Sequence, residues 1–201
     1  MSRSGDWFIR TYGDDIFDDS EYEIWRAEKE IDLLEKRQEA EEYILRSFVK
    51  ISEETANSCG GNFEDIEDIA QHDLEFHEAI WYASTQILPE LEVQVVIDGK
   101  NNCFVTTGSA GYVEFGMRPP IGMTLPIRCW IHTHPFGSAY FSGTDIRTVS
   151  IWEPNMECAY VLGGIGHSGF WSNRNPKQLE IFRNNEYERT QTWGITDDSE
   201  E

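Results

Sequence analysis

The chain has 201 residues, 39% of them hydrophobic and 13% aromatic, which sets aside intrinsic disorder and predicts a packed core that needs no disulfides. Its 37 acidic against 16 basic residues give a net charge of −21, which argues against binding a nucleic acid through charge. No apolar run reaches the roughly 18 residues that span a bilayer, and Met1–Asp6 has no apolar stretch behind its charge, so a cytoplasmic protein without membrane contact is expected.

The charge is uneven, net −17 over residues 1–100 and net −4 over residues 101–201. Only 5 of the bases are lysine. A lysine-poor, acid-rich surface suits a high-salt cytosol, although salt adaptation should spread over the whole surface. Cys59, Cys103, Cys129 and Cys158 form no C-x-x-C pair, so unpaired and mostly buried thiols in a reducing compartment are expected.

In chain order, residues 1–19 mix aromatics with Asp14, Asp15, Asp18 and Asp19 and read as a loosely ordered arm. Ser20-Glu21-Tyr22-Glu23 has the form of a capping box opening a long helix to about Lys50. Ile24, Ala27, Ile31 and Leu34 follow a heptad spacing; Gln38 and Glu41 interrupt it, and Leu45 and Phe48 resume it. Such a helix either packs on its own domain or pairs with a second copy or a partner. Gly60-Gly61 breaks the chain. Asn62 can cap a second helix whose apolar residues run through Phe63, Ile66, Ala70, Leu74, Ile80 and Trp81, ending before Pro89.

From Leu91 the period changes to two, predicting a strand up to Asp98-Gly99. Another strand or hairpin lies within 103–115, with Gly108 and Gly111 as bend points. Ile127–Ile131 is a compact strand leading into His132, followed by a Gly/Ser-rich loop and a helix from Gly143 to Trp152. Glu157–Leu162 and Gly169–Trp171 read as further strands, Leu179–Glu188 as a short terminal helix. The pattern predicts the α/β class: a mixed β-sheet flanked by helices, with an acidic N-terminal helical extension. The expected division is an acidic arm and long helix over 1–61, an α/β domain over 62–189 and an acidic tail over 190–201.

One stretch carries chemistry, Trp130-Ile131-His132-Thr133-His134-Pro135 and onward to Ser142 and Asp145. Two histidines two residues apart on a strand point to one face, so their imidazoles can converge on one ion. Pro135 ends the strand, the loop turns back, and Asp145 in the first turn of the next helix can return as a third ligand. Two histidines and one carboxylate with an open position are a catalytic zinc arrangement rather than a structural one. Ser142 otherwise caps that helix. His72 and His77, five apart on the second helix, do not share a face and read as surface or half-buried residues. His167 reads as an exposed turn residue, and Trp130 either walls the site or packs.

This stretch resembles the JAMM (MPN+) metalloprotease motif, H-x-H-P, six residues, then S-x-x-D, in His132, His134, Pro135, Ser142 and Asp145. The resemblance extends loosely over residues 70–185 and implies a cytidine-deaminase-like mixed sheet with one Zn²⁺ per chain on His132, His134 and Asp145. It also implies an upstream glutamate as general base. In Leu88-Pro89-Glu90-Leu91-Glu92, Glu92 takes the family's position, although Val95 stands where the family has a glycine; Glu90 and Glu114 are the competitors. Ser142 would stabilise the oxyanion. The implied activity is hydrolysis of an amide bond at the C-terminal tail of a ubiquitin-like modifier. The alternatives are a non-catalytic assembly subunit and a hydrolase of small peptide conjugates.

Overall fold

The computed structural model describes residues 19–58, 60, 70–88, 91–108, 120–164 and 166–174. The predicted Asn62 cap, the Glu90 and Glu114 alternatives, Cys59, the 179–188 helix and the 190–201 tail lie outside the described residues.

Helix α1 spans Asp19–Ser58, and no glycine or proline interrupts it. Pairs at i,i+4, Arg26–Glu30, Lys36–Asp32, Arg46–Glu42 and Lys50–Glu54, support its solvent faces. Beyond it Gly60 takes φ 69°, a left-handed conformation that costs glycine nothing. The helix is longer than expected and takes in Ser20, so the predicted Ser20–Glu23 box does not open it. It packs by Ala40, Ile44 and Ile51, which share one buried cluster with Val93, Val95, Ile97, Cys129 and Ile131; of the predicted heptad stripe Phe48 packs against this cluster, whereas Ile24, Ile31 and Leu34 stay exposed. The second half of segment 1–61 therefore belongs to the same core as the sheet.

Helix α2 spans Leu74–Tyr82. The expected continuous second helix is interrupted by a turn at Gln71–His72. Asp73 restarts it as N-cap, its carboxylate accepting from the Glu75 and Phe76 amides. A π-helical turn, Ala83–Ile87, continues from α2 and carries Ser84.

The strands are β1 Val93–Ile97, β2 Cys103–Thr107, β3 Ile127–Thr133, β4 Met156–Leu162 and β5 Ser168–Ser172. They form one mixed sheet in the order β2-β1-β3-β4-β5, in which β3 and β4 are parallel and the other pairs antiparallel. Helix α3, Gly143–Trp152, is the crossover between β3 and β4. Val93, Val95 and Ile97 face α1 and α2, whereas Val96, Trp130, Ala159, Val161 and Trp171 pack with Ile146 and Val149 of α3. Both faces are covered, so β1 is buried along its whole length. Among the described residues no helix is long and apolar enough to cross a membrane.

Candidate metal centre

The site forms where β3 ends beneath the N-terminus of α3. His132 closes β3 on the α3 side of the sheet. His134 follows the strand, its amide donating to Leu162 O over 2.8 Å. Ser142 caps α3: its Oγ accepts from the Asp145 amide, and the Asp145 carboxylate accepts from the Ser142 amide over 2.7 Å. This reciprocal box turns Asp145 back toward the histidines. His132 Nε2 lies 3.0 Å from Asp145 Oδ1, and His134 Nε2 lies 3.4 Å from Asp145 Oδ2.

The sequence-predicted ligands His132, His134 and Asp145 are thus brought together, one ligand atom from each lying within 4.8 Å of the others. Two ligands at about 2.0–2.1 Å from a tetrahedral ion stand roughly 3.4 Å apart, close to both imidazole–carboxylate separations. His132 is 2% exposed; its Nδ1 has no hydrogen-bond partner among the described residues, and its Nε2 faces the Asp145 carboxylate at 3.0 Å. A buried imidazole normally finds a partner. A buried Nε2 that faces a carboxylate and a second imidazole suits a cation. These three residues can hold a metal ion.

The electrostatics agree. Burial works against the charged Asp145 carboxylate, but the charge of His132 and contacts with His132, His134 and Ser142 outweigh it and hold its pKa well below the usual carboxylate range. Burial also opposes a charged His134 ring, yet Asp145, Glu92 and a hydrogen bond with the Ser138 backbone raise its pKa. Asp145 is thereby kept as an anion, the form a cation binds.

Glu92 lines the same cavity of about 280 Å³ with Trp130, His132, His134, Tyr140 and Asp145. The antiparallel register pairs Gln94 with His132, and two further residues along each strand bring Glu92 opposite His134. Burial raises the Glu92 pKa, the His134 charge opposes the rise, and the Asp145 charge adds to it. Trp130 walls the site: its ring stacks on His132 with centroids 4.4 Å apart and planes 15° apart. Its Nε1 donates to Gln94 Oε1, whose own amide donates to Thr106 Oγ1.

Three positioning features escape sequence reasoning. The Ser84 hydroxyl donates to Leu91 O over 2.6 Å, and the Val93 amide donates to Thr133 Oγ1 over 2.9 Å. Ser84 Oγ and Thr133 Oγ1 are themselves 2.9 Å apart. With one proton per hydroxyl, Thr133 donates to Ser84. Glu92 O accepts from the Gly108 amide over 2.8 Å, so the backbone is tied at Leu91, Glu92 and Val93. The third feature is Gly163, where a Cβ would overlap the backbone of Ser138 and Ala139 in the loop between the histidines and Ser142. Thr133 offers a weak signal in its place between two histidines; Ser84 and Gly163 offer none.

Of the remaining histidines, His72 and His167 are exposed as expected, whereas His77 is buried rather than at the surface. His72 precedes α2, and its Nδ1 lies 2.6 Å from the Tyr160 hydroxyl. Buried His77 lies in α2, its ring centroid 4.5 Å from that of Tyr160 and its Nε2 3.0 Å from Gln71 O. Both rings meet one tyrosine because only His77 is on the helix. His167 is exposed. Cys129 and Cys158 are free, buried and paired in register across β3 and β4.

The chain matches no family model, no curated protein and no solved structure.

Proposed function

We propose that this chain is a zinc-dependent hydrolase of amide bonds, of the JAMM (MPN+) type that its His132-Thr133-His134-Pro135 and Ser142–Asp145 residues resemble. The substrate class is the C-terminal tail of a ubiquitin-like modifier joined to another protein. The observation that carries the reading is the convergence of His132, His134 and Asp145 with buried Glu92 on the same cavity. His132, His134 and Asp145 hold the ion, and the Asp145 carboxylate balances part of its charge. Bound zinc supplies Lewis acidity that brings the pKa of a water toward about 7.

Glu92 is the proton carrier. Its desolvated carboxylate accepts a proton at Oε from the water that attacks the carbonyl, then returns it to the leaving nitrogen as the C–N bond breaks. Ser142 at the α3 N-terminus acts on the oxyanion through its hydroxyl and the helix dipole. Phe136 and Tyr140, 65% and 38% exposed, give the cavity an aromatic rim for an extended tail.

The test is cleavage of linear and isopeptide-linked ubiquitin-like fusions by the zinc-loaded chain across a salt range. Glu92→Gln should keep zinc and lose at least about 10²-fold in rate. Full activity in Glu92→Gln, with none in Glu114→Gln, would move the proton carrier to Glu114.

A further inference from the structure

The first half of α1 presents an apolar face that the core does not use. Ile24, Ile31 and Leu34 are 60%, 56% and 62% exposed, and Ala27 between them is exposed as well. At about 100° per residue, this seam lies roughly 140° around the helix from the Ala40, Ile44 and Ile51 face. It therefore points elsewhere than the α/β core. Its spacing is that of the a and d positions of a coiled coil.

The flanks of the seam decide what it can pair with. Glu23 and Glu30 occupy the g positions, Glu28 and Glu35 the e positions, and all four are exposed. In a parallel pair, g faces e of the partner; in an antiparallel pair, g faces g and e faces e. A second copy would set glutamate against glutamate in both arrangements. Arg26, Lys29 and Lys36 sit away from the flanks, Arg26 and Lys36 already contact Glu30 and Asp32, and Arg37, at the next g position, is turned to the Gly108 carbonyl.

We propose that the Ile24–Leu34 face of α1 docks an amphipathic helix of a different protein, one whose apolar seam is flanked by Lys or Arg, and that it excludes a second copy of this chain. Apolar burial supplies the attraction, and the four glutamates select the partner.

The probes are two synthetic helical peptides of about three heptads with the same Ile/Leu seam, one with Lys and one with Glu at every e and g position. Binding to the full chain is read by fluorescence anisotropy at about 0.1 M salt, with sedimentation equilibrium of the chain alone. The Lys-flanked peptide should bind saturably at one per chain, at least about tenfold tighter than the Glu-flanked one, and the chain alone should be monomeric. Ile31→Glu should abolish binding while leaving the circular dichroism and metal content unchanged. Joint Glu28→Lys and Glu30→Lys changes should shift the preference toward the Glu-flanked peptide. Equal binding of both peptides, no binding of either, or a dimer that Ile31→Glu dissociates would overturn the proposal.

Discussion

Thr133 Oγ1 lies 2.9 Å from Ser84 Oγ, and these two buried hydroxyls hold the peptide groups on both sides of Glu92. The residue between the paired histidines thus faces away from the cavity and fixes the strand that carries the proposed proton carrier. Thr133→Val preserves shape but leaves the Val93 amide without its acceptor. The expected cost is about 1–3 kcal/mol in urea unfolding, with zinc retained and turnover reduced. Thr133→Ser should restore both; unchanged stability in Thr133→Val would show that the brace carries nothing.

Gly163→Ala tests the seat of the return loop. The added methyl meets the Ser138 and Ala139 backbone rather than a flexible side chain, so the loop must move. Thermal unfolding should show a loss of at least about 1–3 kcal/mol, and zinc should bind more weakly because His134 is hydrogen-bonded to the Ser138 backbone. Wild-type affinity and melting temperature would contradict this.

Ser142→Ala removes the Oγ that accepts from the Asp145 amide. Loss of an N-cap costs about 1 kcal/mol. The metal affinity should fall as well, because Asp145 is both cap partner and proposed ligand. A drop in stability at unchanged metal affinity would separate the two roles.

Asp98 anchors the β1–β2 turn to the loop before β3. Its buried carboxylate accepts from the Lys100 and Asn102 amides, the Asn102 side chain, and the Thr124 amide and hydroxyl. Burial alone would raise its pKa, but the Asn102 and Thr124 hydrogen bonds lower it from 3.8 to about 2. A folded-state pKa below the unfolded one stabilises the protein above the unfolded value. That contribution, about 2 kcal/mol, is lost as pH falls from about 4 to about 2. Asp98→Asn should narrow its stability deficit against the natural chain over that window; a deficit independent of pH would contradict the assignment.

Much of the fold was legible because it is written in local period and punctuation. The period-two run of β1 up to Asp98-Gly99, the compact β3 running into His132, and α3 from Gly143 need only neighbours in sequence. The convergence of the candidate ligands was legible for the same reason: strand parity joins His132 to His134, and a helix start returns Asp145. What escaped depends on contacts distant in sequence. The exposed Ile24–Leu34 stripe looks like the packing face of α1, yet the sheet selects Ala40, Ile44 and Ile51. The cap at Asp73 overrides an apolar period that runs straight through it. Ser84 reaches Thr133 across 49 residues of chain, and Gly163 matters only because another loop lies on it.

The most direct test is metal analysis of the full chain by mass spectrometry after purification without added metal, alongside Asp145→Ala and Glu92→Gln. A metal centre on His132, His134 and Asp145 predicts about one zinc per chain, retained in Glu92→Gln and lost in Asp145→Ala. Zinc at background level in the natural chain, or an equal content in Asp145→Ala, would contradict it.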